Sequence, residues 1–144
     1  MIDLNISGPE GVFNFAARAV ILRKGKILLV KDRLGRYFYL VGGRVQLHES
    51  AEHAAQREAL EETGANFEAE RLLFIHENFF SGNHEVCFFY LMRHIGGDIR
   101  AATDSGEELV WLPVDQLGEH MVFPFSKISC GISLEGFKHF VTRE

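Results

Sequence analysis

The chain has only two cysteines in 144 residues, Cys87 and Cys130, and neither has a partner at metal-ligand or redox spacing. Isolated cysteines in apolar surroundings are expected to be buried thiols, so a disulfide scaffold, a zinc site and thiol redox chemistry gain no support. Long apolar runs are missing as well. Stretches such as Ala19 to Leu22, Ile27 to Val30 and Val86 to Met92 fall far short of the roughly 20 residues that a membrane-spanning helix needs. The beginning, MIDLNISGPEG, has neither a basic leader nor an apolar block, so no secretory signal is expected and the expected location is cytoplasmic. Basic residues are in short supply, with 15 Lys and Arg against 20 Asp and Glu and a net charge of −5. An extended nucleic-acid partner would need clustered cations to neutralise phosphates, and the composition argues against one. A phosphorylated small molecule stays open, provided that a metal ion or a few local cations sit between the two negative partners. Repeats, low-complexity tracts and Pro/Ser-rich linkers are also lacking. With 47% hydrophobic and 24% charged residues, the expectation is one folded, soluble domain spanning 1–144.

What the chain does have is strand-forming sequence. Phe13 to Leu22 and Ile27 to Lys31 are rich in branched apolar residues and are separated by RKGK, where Gly25 suits a tight turn, so a β-hairpin is expected. Ile27 to Val30 is apolar without alternation, which predicts a strand covered on both faces. Tyr37 to Val41 reads as a short strand ending at Gly42 and Gly43. Leu72 to Phe80 and Glu85 to His94 flank Ser81-Gly82-Asn83 as a second hairpin, and Glu108 to Leu112 is a further strand ended by Pro113. Ser50 to Thr63 is predicted as a helix, N-capped by Ser50 and stopped by Gly64. A C-terminal helix is expected over Ser126 to Thr142, against the grain of Gly131 and Gly136. Together these elements predict an α+β fold, a mixed β-sheet with helices packed on it.

The central helix holds a puzzle, because REALEE crowds Glu58, Glu61 and Glu62 within one turn of each other. Residues three and four apart share a helix face, and Ala51, Ala54 and Ala55 lie on that same side. The alanines leave room beside the acids, and a divalent cation would relieve their repulsion. Oxygen-only ligands of this kind suit Mg²⁺ or Mn²⁺ rather than zinc. Taken alone, the same letters also describe a solvated helix in which Arg57 and Glu61 form an i,i+4 pair. The preceding loop shifts the balance. Gly43, five residues, Glu49, seven residues, Arg57-Glu58, two residues, Glu61-Glu62, one residue and Gly64 form a fixed spacing. With each residue type at roughly 5–7% of ordinary proteins, seven such matches arise by chance on the order of once in a million.

Gly43 to Ala65 resembles the signature of the Nudix hydrolases, G-x5-E-x7-R-E-U-x-E-E-x-G-U with U aliphatic. The order of strands around the helix is similar to the family's α/β/α sandwich over most of the chain. The resemblance implies metal-dependent hydrolysis of a nucleoside diphosphate linked to another group, with Mg²⁺, or alternatively Mn²⁺, as cofactor. It implies that Glu58, Glu61 and Glu62 are metal ligands, that the Gly43 carbonyl helps hold the metal, and that Arg57 orients a glutamate. Glu49 would steady the loop and touch the metal, and a homodimer is the family-based expectation for assembly. The sequence also departs from the pattern: His48 and Val41 stand where glycine and proline are frequent, and Ala59 and Ala65 replace larger aliphatics. Histidine tolerates positive φ better than most residues, so His48 is compatible with the turn.

Other candidates follow from the chemistry that such a site needs. A general base outside the helix is expected, with Glu107 and Glu108 first and Glu85 and Glu77 next. Lys31, Arg33, Arg36 and Arg44 are candidate phosphate contacts, and Tyr39, Phe79 or Phe80 could stack on a base. His76, His84 and His94 read as structural histidines. Two alternatives remain beside the nucleotide diphosphatase: a catalytically silent module that binds a nucleotide or protein, and a hydrolase of non-nucleotide diphosphates.

Overall fold

Branched and aromatic residues draw most of the described residues into strands. The computed structural model describes residues 2–119, 122–123 and 138–143, and among them contains ten strands and one α-helix. The first strands are β1 (Asn5–Gly8), β2 (Gly11–Val20), β3 (Leu22–Arg23), β4 (Lys26–Lys31) and β5 (Phe38–Arg44). The helix α1 (Ala51–Thr63) follows, and then β6 (Asn66–Phe80), β7 (Asn83–Gly96), β8 (Glu108–Pro113), β9 (Val122–Phe123) and β10 (Lys138–Arg143). A 3-10 turn, Val114–Glu119, follows β8.

Two hairpins form at the expected turns. Lys24 and Gly25 have φ of 51° and 76°, and Ser81 and Gly82 have 43° and 76°. Two successive positive φ values give the hairpin turn whose twist matches its strands. The Ser81-Gly82 hairpin joins β6 to β7 and extends beyond its expected ends. The Lys24-Gly25 hairpin is smaller than expected, because only β3 folds back on β4. The stretch expected as one strand breaks at Ile21, and β2 joins a different sheet, parallel to β7 and antiparallel to β5.

Strand β5 runs straight through Gly42 and Gly43, past its expected end, and is shared by two sheets. Its first half pairs with β4, with Leu40 opposite Leu29. Its second half pairs with β2, with Gly42 opposite Arg18 and Gly43 opposite Ala17.

The expected C-terminal helix is corrected at its end. Lys138–Arg143 is a strand parallel to β6, from Lys138 opposite Phe74 to Arg143 opposite Phe79. The sequence FVT is aromatic and β-branched, and β6 offers it an open edge. Phe140 packs edge-on against Phe74 at 5.3 Å, while Thr142 donates to Asn78 at 2.6 Å. Residues 126–137 of that expected helix lie outside the described residues, so the helical layer among the described residues is α1 alone.

One core lies between α1 and the sheet, where Ala51, Ala54, Ala55 and Ala59 pack near Val41, Val45, Tyr90 and Met92. A second core on the other face gathers Val20, Ile27, Leu29, Leu40, Phe74 and Phe89. Strand β4 serves both, with Ile27, Leu28, Leu29 and Val30 at 0–4% exposure, as its unbroken apolar run predicts. Cys87 is fully buried, and burial pushes its thiol up to about 12, so it is inert packing. Cys130 lies outside the described residues.

Candidate active site

The site begins with two helix caps. Ser50 Oγ accepts from His53 N at 3.0 Å, and Gly64 takes a left-handed φ of 76° while its N–H donates to Leu60 O. These caps fix the register of α1, so the buried alanine face runs on into Glu58 and Glu62, while Glu61 is exposed. Acids at the negative end of a helix dipole are unfavourable by themselves. The last turn has no basic residue of its own. Arg100 reaches in from outside and donates to the Glu61 carbonyl at 2.5 Å and to Asp104 at 2.6 Å.

Ahead of the helix, the loop is held by Glu49. Its carboxylate accepts from Arg57 Nε at 2.7 Å, Arg57 Nη2 at 3.0 Å and the Gln46 N–H at 3.1 Å, and pairs with His53 Nδ1 at 2.8 Å. These bonds, those of Arg57 foremost, hold the acid down at about 2. Arg57 Nη2 also donates to the Arg44 carbonyl at 3.1 Å, so one guanidinium ties the loop to the helix from both sides. His48 adopts φ of 71°, the positive-φ turn that glycine would supply.

Glu58 and Glu62 occupy the face that meets β5. A Cβ on Gly43 would lie 2.5 Å from Glu58 Oε1, so the carboxylate seats itself in the space that a side chain would fill. Glu62 Oε1 accepts from Gly42 N at 3.4 Å, and among the described residues Glu62 has no ion pair. Burial raises both acids above their usual value, and Glu58 adds to the effect on Glu62, which rises to about 8. Arg57 Nη1 meanwhile contacts Glu58 at 3.1 Å and Glu61 at 3.2 Å.

This donor set fits a hard divalent cation: two desolvated carboxylates that repel each other, a third on the same turn, and a β5 backbone stripped of side chains beside them. Among the described residues no three acidic or His/Cys groups converge at ligand distance. Arg57 holds Glu58 and Glu61. Binding would therefore swing carboxylates off this guanidinium.

Beside these acids opens a cleft of about 350 Å³, lined by Arg18, Val30, Tyr39, Leu40, Gly42, Glu61, Glu62 and residues 103–105 and 107. It brings together two expected residues, Glu107 and Tyr39, with the signature acids. Glu107 Oε1 accepts from Ser105 Oγ at 2.6 Å, and its N–H donates to Thr103 Oγ1 at 3.1 Å, which fixes it at the loop end. Burial raises the Tyr39 phenol to about 12.

Other expected residues fall elsewhere. Glu108 is exposed on β8 opposite Lys31, outside the cleft. Arg36 is exposed and paired with Asp32 at 3.1 Å, and Arg44 is exposed, with its carbonyl accepting from Arg57. Arg33 reaches the edge of the 103–107 loop, with Nη2 3.6 Å from where a Gly106 Cβ would stand. Phe79 and Phe80 lie at the tip of the β6–β7 hairpin, in a separate open groove of about 830 Å³ that holds a single carboxylate, Glu10. Glu77 bonds His139 at 2.7 Å, and Glu85 lies opposite Asn14 and Asn78. The three histidines lie apart from the cleft: His76 is buried and bonded to Thr142 at 2.9 Å, His84 stacks on Phe79 at 4.3 Å, and His94 donates to the Gly97 carbonyl at 2.7 Å. Sequence reasoning missed Arg18 and Thr103 to Ser105. An arginine at the centre of an apolar strand, FNFAARAVIL, was the one signal for Arg18.

Comparison with known proteins agrees with this geometry. The NUDIX domain family matches residues 13–128. An ADP-ribose pyrophosphatase of Methanocaldococcus jannaschii is 31% identical over 97 residues, which is 64% of this chain and 57% of that protein. A MutT-like protein of Streptomyces ambofaciens is 29% identical, over 73% of this chain and 66% of its own length. The chain thus spans from about half to two-thirds of the length of the curated relatives it matches. Among solved structures, the MutT NUDIX hydrolase of Burkholderia pseudomallei superposes with a TM-score of 0.64 at 30% identity, over 77% of this chain and 91% of that one.

Proposed function

The chain belongs to the NUDIX domain family, and on that footing we propose that it is a Mg²⁺-dependent hydrolase of the diphosphate bond in a nucleoside diphosphate derivative. The observation that carries this reading is the Glu58–Glu62 pair, two desolvated carboxylates pressed against a side-chain-free stretch of β5 beside an open cleft. Burying such a pair is costly for the fold alone and becomes favourable when a cation is shared.

Glu58, Glu61, Glu62 and the Gly43 carbonyl would hold the ion, with Glu49 acting on it through Arg57. When bound, the ion supplies charge neutralisation on the diphosphate and a more acidic water. The chain's own residues do the rest. Glu107 faces the cleft with its carboxylate fixed by Ser105, in position to accept a proton from the attacking water, and we place it ahead of Glu108 for that role. Tyr39 lines the same cleft, and an aromatic ring there favours a nucleoside-linked diphosphate over a non-nucleotide one. The M. jannaschii relative makes ADP-ribose a first substrate to try.

The test is a panel of nucleoside triphosphates, ADP-ribose, nucleotide sugars and non-nucleotide diphosphates, assayed with Mg²⁺ or Mn²⁺ and read by product mass, with Glu62→Gln as control. Turnover of a nucleoside derivative that the control loses is the expected result. A folded, metal-binding protein that turns over none of them would instead be a binding module.

A further inference from the structure

Arg18 is the one cation among the described residues that line the cleft, against four acids, Glu61, Glu62, Asp104 and Glu107. It arises from the middle of β2, directly opposite Gly42. The path of its side chain depends on that glycine: a Cβ at Gly42 would come within 2.8 Å of both Arg18 Cα and Arg18 Cδ. The bare backbone at Gly42 therefore makes the channel through which the Arg18 stem passes. One guanidinium nitrogen, Nη1, donates to the Leu40 carbonyl at 3.1 Å and fixes the direction of the fork. Nε is buried and has no hydrogen-bond partner among the described residues. Such a donor is costly to leave unmade, and arginine presents its donors in a rigid plane that matches phosphate oxygens.

A structural arginine would spend its donors on the surrounding sheet. Arg18 has one bond to an oxygen acceptor, with the Cys87 thiol as a weak further partner, and lies beside the carboxylate that the proposed metal would neutralise. We propose that Arg18 is a substrate-binding residue that donates to a non-bridging oxygen of the diphosphate, opposite the metal. This rests on the diphosphatase reading above. In the free protein Arg18 partly offsets the charge of Glu62. With ion and substrate bound, Glu62 would serve the ion and the guanidinium would serve the phosphate. Gly42 would then serve the substrate indirectly, by clearing Arg18's path.

The test uses the full chain and three proteins: wild type, Arg18→Met and Arg18→Lys. Affinity for the methylene-bridged, non-hydrolysable analogue of ADP is measured by calorimetry with Mg²⁺ present, and Mn²⁺ affinity is measured separately without nucleotide. Arg18→Met is expected to weaken the analogue by about 10- to 100-fold, the range for losing one charge-assisted contact to an anion. Mn²⁺ should bind as tightly as before or tighter, since a neighbouring cation has gone. Arg18→Lys, which keeps the charge but loses the fork, should fall between, and it carries the test if Arg18→Met does not fold. Opposite movement of the two affinities is the signature that a purely structural role would not give. Analogue binding unchanged in Arg18→Lys and Arg18→Met, or analogue and Mn²⁺ affinities falling together with thermal stability, overturns the assignment. Failure of the wild type itself to bind the analogue, with Mn²⁺ bound, overturns the diphosphate reading beneath it and is seen before any variant is compared.

Discussion

Arg57 grips Glu49 with two nitrogens, Nε at 2.7 Å and Nη2 at 3.0 Å, and so has a third, Nη1, to spend on Glu58 and Glu61. The pairing couples loop order to the position of the acids. Glu49→Gln would keep the shape and lose the charge. It is expected to cost about 2 kcal/mol of stability and to weaken divalent-ion affinity by about 10- to 100-fold. Chemical denaturation and Mn²⁺ titration of the same sample check both numbers.

The same contact predicts an acid-side pH dependence. Glu49 titrates at 4.5 when unperturbed and at about 2 in the fold, with the Arg57 hydrogen bonds as the largest cause. Its contribution is therefore complete above pH 4.5 and is lost as pH falls toward 2. Arg57→Met should flatten this part of the stability profile. A slope that survives in the variant would place its origin in another carboxylate.

Glu62 predicts the opposite slope. Its carboxyl is raised by burial to about 8, so in ion-free protein its contribution is present below pH 4.5 and lost as pH rises through 8. Stability measured in chelator should decline over this window, and Glu62→Gln should remove the decline. A divalent ion should reverse it, because the ion favours the charged form. Equal slopes with and without ion would argue that Glu62 does not meet the metal.

Two adjacent glycines should fail differently. A Cβ on Gly43 meets only the flexible end of Glu58, so Gly43→Ala is expected to cost below about 1 kcal/mol while displacing that carboxylate and the ion. A Cβ on Gly42 runs into the Ala17 carbonyl and the Arg18 backbone at φ of 143°, and Gly42→Ala should cost about 3 kcal/mol or more. Thermal melts and Mn²⁺ affinity together separate a displaced ligand from a distorted sheet.

His48 occupies a glycine-like turn at φ of 71°. His48→Gly should stabilise the protein by about 0.5–1 kcal/mol through relief of backbone strain. A melting temperature that falls would show that the imidazole makes a compensating contact.

The parts of this site that sequence made legible are those written locally. Ser50, Gly64 and the spacing of Glu58, Glu61 and Glu62 lie within one helix, where three or four residues of separation set geometry. The place of Arg18 in the cleft was not legible, because it depends on Gly42, 24 positions away, which pairs opposite it. The same holds for Glu107 lining the cleft where Glu108 does not: neighbours in sequence, they differ because only Glu107 lies at the end of the 103–107 loop before β8 starts. The strand at Lys138–Arg143 escaped for a related reason, since its partner Phe74–Phe79 is non-local. Local propensity within Ser126 to Thr142 carries no trace of that edge.

The passage of β5 from one sheet to the other has a kinetic consequence. Gly42 and Gly43 pair with β2, while Tyr39 and Leu40, two or more residues earlier on the same strand, pair with β4. A refolding intermediate with either sheet missing would hold half a cleft, and a slip of one residue along β5 would turn every side chain on it to the wrong layer. The proposed turnover should therefore return after circular dichroism and fluorescence have recovered, and would report the completion of both pairings of β5 more sharply than a spectroscopic probe.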